Sequence, residues 1–252
     1  MNFLLWGILP YLTVIILVGG LVWRYKYDQF GWTTRSSQLY ESKLLKIASP
    51  LFHFALLAVL IGHIVGLLIP KAFTDRIGLS QEMYHAGALY GGGLAGLALI
   101  AGLAMLIWRR RRTGKVFAAT TANDKFMYLV LGAVILAGLI ATFTGETTPS
   151  GEHHNYRETV SIWFRSLFVL QPNVEAMAAA TWQFKVHVLI GFALFAITPF
   201  TRLVHAFTAP LHYLFRPYIV YRSRDLQPTR STSGQRRGWD PIGTSDRERG
   251  RR

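Results

Sequence analysis

Apolar residues in this chain collect into five long runs, 3–22, 50–69, 84–108, 126–143 and 182–207, and the charged residues fall almost entirely between them. A run of about 20 apolar residues is long enough to cross the hydrocarbon core of a bilayer as a helix. The pattern therefore predicts an all-α integral membrane protein with five transmembrane helices. The first run lacks a basic leader and a small-residue cleavage site, and Trp23-Arg24-Tyr25 closes it with an interfacial border. It reads as a retained span rather than a cleaved signal peptide. Ser49-Pro50 reads as an N-cap followed by a first helical residue, which starts the second helix there. Gly91, Gly92, Gly93 and Gly96 give the third span a small-residue face for close helix packing. Residues 156–172 are too short and too charged to span and read as an interfacial helix. Beyond about Asp225 the chain turns to Arg, Ser, Thr, Gly and Pro, a composition that cannot bury enough surface to fold by itself. The domain reading is thus a five-helix membrane domain over 1–224 and a basic, disordered tail over 225–252.

Hydrophobic residues make up 51% of the chain and there is no cysteine. The second fact excludes disulfides, thiolate-held iron–sulfur clusters and thioether-attached haem in this chain. The net charge of +14 invites a nucleic-acid reading, but location argues against it. Of 27 basic residues, 22 lie in 24–46, in 109–125 or from Arg202 onward, while the loops 70–82 and 144–181 hold two each. This alternation is the positive-inside pattern, and it puts the N-terminus outside and the C-terminus in the cytoplasm. The four arginines 109–112 read as a surface anchor after the third span.

Besides His85 at the very start of the third run, four of the eight histidines fall inside the apolar runs: His53 and His63 on the second, His187 and His205 on the fifth. Ionisable residues inside membranes are costly and mark function. The second helix runs outward and the fifth inward, so the histidines pair by depth, His63 with His187 and His53 with His205. Each pair can place an imidazole on both faces of one haem iron. His187 and His205 are 18 residues apart, five full turns of one helix, and so share a face. His53 and His63 are only ten apart, about 15 Å of rise against roughly 27 Å, so either tilt or a kink at Pro199 shortens the fifth helix's separation or the two haems are differently inclined. Gly62, Gly66 and Gly191 flank the histidines and leave room for a flat macrocycle, or serve helix packing. Arg202 either binds a haem propionate or is one more positive-inside residue. A lone membrane histidine can instead hydrogen-bond a neighbouring helix. A proton relay would also use histidines, but with carboxylates inside the spans, and the apolar runs contain none.

These residues resemble the gamma (cytochrome b) subunit of membrane-bound respiratory nitrate reductase. The resemblance rests on Trp23-Arg24-Tyr25 with Gln29-Phe30 and Ser36-Ser37-Gln38, on Leu51-Phe52-His53 and on Gly62-His63. It continues through the Gly-rich start of the third span, the arginines 109–112 with Ala119-Thr120-Thr121, His187, and Pro199-Phe200 through Arg202-Leu203-Val204-His205. It covers residues 1 to about 224 and implies two b haems with His53, His63, His187 and His205 as axial iron ligands. It further implies a bacterial or archaeal cytoplasmic-membrane subunit that oxidises quinol near the outer haem. Electrons then pass through both haems to an iron–sulfur beta subunit and on to a molybdenum-containing alpha subunit that reduces nitrate on the cytoplasmic side. Those soluble partners are expected at 24–46 and after Pro210. Where the family has a lysine early in the third span, this chain aligns His85, which can serve the quinol site or simply sit at the interface. The alternatives are a related cytochrome b of a sulfur-metabolism or heterodisulfide-reductase-type complex, and a haem-free transporter.

Overall fold

The computed structural model describes residues 1–28, 40–145 and 154–207, all within one compact unit, Met1–Ala209. The tail over 225–252 and much of the expected docking surface, 29–39 and the segment after Pro210, lie outside the described residues, as does His153.

Among the described residues there is no strand. A short π-turn, Leu4–Ile8, runs into α1 (Leu9–Tyr27), and α2 (Leu45–Leu68) follows. The short α3 (Lys71–Arg76) leads to α4 (Gln81–Arg112), and α5 (Gly114–Ala118) leads to α6 (Ala122–Thr144). Helices α7 (Val160–Phe168) and α8 (Val174–Ala178) cross one end of the bundle before α9 (Trp182–Ile197). Two 3-10 segments, Thr198–Phe200 and Arg202–Phe207, finish the described chain. Among the described residues five helices are long and apolar enough to cross a membrane: Leu4–Tyr27, Leu45–Leu68, Gln81–Arg112, Ala122–Thr144 and Trp182–Phe200. Their outer faces carry bare apolar side chains such as Ile15, Phe54, Leu94 and Leu129. Aliphatic surface of this extent belongs against lipid.

The second helix starts at Leu45, not at Ser49-Pro50. The Glu41 carboxylate accepts from the Leu44 N–H at 2.7 Å and nucleates a turn upstream, so Pro50 lies inside the helix. Its missing N–H then costs one backbone hydrogen bond. The Leu44 N–H, and the Arg109 guanidinium beside it, hold the Glu41 carboxyl below the usual carboxylate range. Arg109 corrects the reading of 109–112 as a plain surface anchor. It is 3% exposed and donates from Nε to Glu41 at 2.5 Å and from Nη2 to the Glu41 carbonyl at 2.6 Å. Arg110 reaches the Tyr128 hydroxyl and Thr120.

The core between α2, α4 and α6 is Phe52, Leu99, Leu103, Met127, Leu131 and Ile135. Gly102 brings α4 against the backbone of α2, since a Cβ there would lie 2.8 Å from the Phe52 nitrogen. A second cluster, Trp6, Val160, Trp163 and Met177, seats α7 and α8 on the opposite end. It is fixed by a hydrogen bond from the Trp163 indole to the Trp6 carbonyl at 2.8 Å. The interfacial helix expected over 156–172 is a 3-10 turn, Tyr156–Glu158, followed by α7.

The fifth span is not one helix to residue 207. Regular α-structure stops at Ile197, Pro199 sits in a 3-10 turn, and Thr201 is extended (φ −122°, ψ 178°). Proline cannot supply the N–H that would continue the helix. His187 and His205 are therefore not five turns apart on one face, and the 27 Å rise of an unbroken helix does not apply.

Candidate functional site

The break at Pro199 brings four histidines into two facing pairs. His63, late in α2, lies beside His187, early in α9, with ring centres 5.9 Å apart. His53, early in α2, lies beside His205, past the end of α9, with ring centres 6.2 Å apart. Neighbours at opposite ends of both elements mean that α2 and the fifth span run antiparallel.

The tautomers follow from the partners. His53 Nδ1 is 2.7 Å from the Ser49 carbonyl, His63 Nδ1 is 2.8 Å from that of Val59, and His205 Nδ1 is 2.5 Å from that of Arg202. His187 Nδ1 is 3.0 Å from the Val134 carbonyl on α6. A carbonyl only accepts, so each Nδ1 carries the proton and each Nε2 is the nitrogen that bears the ring's lone pair. A hydrogen bond of this kind fixes ring orientation in metal-ligating histidines. Metal–imidazole bonds of about 2 Å on each side, with about 1 Å more to each ring centre, separate trans imidazole centres by about 6 Å. Both pairs match that spacing. Among the described residues no three His, Cys, Asp or Glu converge as a metal site. Two opposed imidazoles instead suit a metal whose remaining ligands come from a flat macrocycle.

The glycines separate into two kinds. A Cβ at Gly62 or Gly191 would meet nothing within 4 Å, which leaves open space beside His63 and one turn beyond His187. Gly66 is a packing position, since a Cβ there would lie 2.9 Å from the Tyr156 hydroxyl. Gly138, which drew no attention in the sequence, is the closest to a histidine: a Cβ would stand 2.9 Å from His187 Cε1. Its only signal was a small residue in the fourth span.

Arg202 forms a bidentate pair with Asp124, Nε to Oδ1 at 2.6 Å and Nη2 to Oδ2 at 2.7 Å. Asp124 is 6% exposed and lies inside the span Ala122–Thr144, which begins four residues before the apolar run. The spans are thus not free of carboxylates: Asp124 lies in the fourth, and Glu82 in the first turn of the third. His85 is half-buried on the second turn of α4, next to Tyr84, and is not one of the paired histidines. The Tyr84 hydroxyl meets that of Tyr156 at 3.0 Å, and Arg157 stacks over the Tyr84 ring at 3.9 Å. Tyr156 packs on Phe184 and beside Gly66, which places this cluster at the His63–His187 end. Lys71 closes the same end on Glu158, whose carboxylate raises the lysine's pKa. His154 approaches Thr159 and the Phe184 ring.

A sequence profile described as nitrate reductase gamma subunit matches residues 2–224. A nitrate reductase-like protein NarX of Mycobacterium tuberculosis is 58% identical over 240 residues, 95% of this chain but 36% of the relative. The chain thus spans about a third of the length of that relative. The nitrate reductase gamma chain of Bacillus subtilis is 42% identical over 221 residues, 88% of this chain and 98% of the relative. The respiratory nitrate reductase 2 gamma chain of Escherichia coli is 31% identical over 231 residues, 89% of this chain and 98% of the relative.

Proposed function

The chain belongs to the nitrate reductase gamma subunit family, and from that premise we propose that it is the quinol-oxidising, di-haem cytochrome b anchor of a respiratory nitrate reductase in a bacterial or archaeal cytoplasmic membrane. The observation that carries the proposal is the two facing histidine pairs, each ring held at Nδ1 by a backbone carbonyl and separated as trans axial ligands are. His63 and His187 ligate one haem, His53 and His205 the other. When bound, the haems supply one-electron carriers at two depths in the membrane.

The chain's own residues do the rest. The carbonyls of Ser49, Val59, Val134 and Arg202 hold the four Nδ1–H groups and so aim the rings. Gly62 and Gly191 keep side chains out of the space beside them. At the His63 end, His85 donates to a quinol-derived oxygen or takes up its proton. The positive-inside charge distribution supports an outside N-terminus and a cytoplasmic C-terminus, so the His53–His205 end faces the cytoplasm. An iron–sulfur subunit and a molybdenum-bearing catalytic subunit dock on that face, through 24–46 and the segment after Pro210.

Haem content and spin state in four single alanine variants test the proposal. His63→Ala and His187→Ala should lose, or make high-spin, the same haem and abolish quinol oxidation. His53→Ala and His205→Ala should damage the other haem, leaving the first reducible by quinol but not reoxidised by nitrate. Any of the four variants retaining two low-spin haems, or the His53 and His63 variants losing the same one, rejects the pairing. Membranes that reoxidise with a sulfur compound or a heterodisulfide but not nitrate would assign the chain to a related complex.

A further inference from the structure

His205 differs from the other three histidines in its support. His53, His63 and His187 sit on α-helices, whereas His205 lies in a six-residue 3-10 segment after an extended residue. Short 3-10 segments have weak internal hydrogen bonding and do not hold a side chain rigidly by themselves. A ligand there needs outside fixation.

That fixation comes from the start of α6. Asp124 binds Arg202 through both carboxylate oxygens, and the Arg202 carbonyl is the acceptor for His205 Nδ1. Asp124 is itself immobilised by a capping box: its Oδ2 accepts from the Thr121 N–H at 3.0 Å, and its N–H donates to Thr121 Oγ1 at 3.1 Å. Next to it, Asn123 donates to the Phe200 carbonyl at 2.7 Å, and from α1 Arg24 donates to the Pro199 carbonyl at 2.7 Å. A planar guanidinium gripped at two atoms fixes direction as well as distance.

Building on the proposed ligation by His53 and His205, we infer that Asp124 is a positioning residue for the His205 imidazole, acting through the Arg202 side chain and backbone carbonyl. Arg202 is then committed to a carboxylate of its own chain. With Asp124 neutral, the fork loses its charged partner and the His205 ring loses its defined orientation. The uncompensated guanidinium also stabilises the reduced state of the nearby haem, so its midpoint potential rises.

The experiment uses the full chain with its native partners in membranes, read by low-spin haem signals and redox titration. His205→Ala is the reference that identifies which of the two haem signals belongs to this pair. Asp124→Asn should raise the potential of that haem and speed its loss in detergent about tenfold, as expected for an outer-shell partner, with the other haem unchanged. Arg202→Lys, which keeps the charge without the fork, should give a smaller change at the same haem. Thr121→Val, which loosens the capping box and keeps the ion pair, should leave the potential of that haem as in the parent and speed its loss less than Asp124→Asn does. Parental signals in Asp124→Asn, equal loss of both haems, a change at the other haem in Arg202→Lys, or the same change in Thr121→Val would each overturn the inference. Two low-spin haems in His205→Ala would overturn the ligand reading beneath it, and the inference with it.

Discussion

Replacing Gly138 by alanine is the smallest change that should disturb one haem and spare the other. The added methyl would stand 2.9 Å from His187 Cε1 and 3.3 Å from its Nδ1. Carbon contacts are comfortable at about 3.5–4.0 Å, so the ring must retreat by roughly half an ångström or more. It cannot do so freely, because its Nδ1 is held by the Val134 carbonyl on the same helix as Gly138. Overpacking of this kind costs about 1–3 kcal/mol, and stretching the hydrogen bond adds about 0.5–1.5 kcal/mol. The helix gains up to about 1 kcal/mol from alanine in place of glycine. The balance is a loss of about 1–3 kcal/mol at the His187 site, or roughly one to two orders of magnitude in retention of the haem it is proposed to ligate. The assay is haem loss from detergent-solubilised protein, resolved by the two haem spectra. Gly19→Ala serves as control, since its Cβ would meet nothing within 4 Å. Equal retention of both haems in Gly138→Ala, with unchanged spectra, would refute the reasoning.

Glu41→Gln should lower thermal stability, because the buried Arg109 loses its carboxylate. The Glu41 pKa is depressed in the fold, so its contribution is full above the ordinary carboxylate value and disappears as pH falls through the depressed one. Acid thermal scans of parent and variant should therefore converge, and a constant gap down to low pH would refute the assignment. Trp163→Phe keeps the ring but removes the donor to the Trp6 carbonyl, and should cost about 1–3 kcal/mol in a denaturation midpoint. A reporter fused after Tyr221 should be active only if it is a type that folds in the cytoplasm, and activity of a periplasmic reporter there would reverse the topology.

The five spans were legible because hydrophobic runs of that length admit one form in lipid, and the facing histidines because helix direction assigns each a depth. What could not be read were features decided by single side chains. Pro50 looked like a helix start, yet Glu41, outside the apolar run, caps a turn before it. Arg109 looked like its three neighbours and is the one whose guanidinium is buried on Glu41. Arg202 reads equally as a propionate ligand or as one more positive-inside residue, because its partner Asp124 is 78 residues away and carries no pattern linking the two. Gly138 is one of many small residues in the spans, and only the position of the His187 ring distinguishes it.

The interruption at Pro199 also bears on how the molecule is made. Backbone that leaves the helix within a membrane needs partners, and here the carbonyls of Pro199 and Phe200 find them in Arg24 and Asn123. The last span is also the least apolar of the five, with a mean hydropathy of 1.5. A nascent final segment entering the bilayer alone would expose those carbonyls to hydrocarbon. It can mature only against first and fourth spans that are already in place, which is the order in which a ribosome delivers them. The proposed ligand His205 therefore reaches its place only after the first and fourth spans have been inserted.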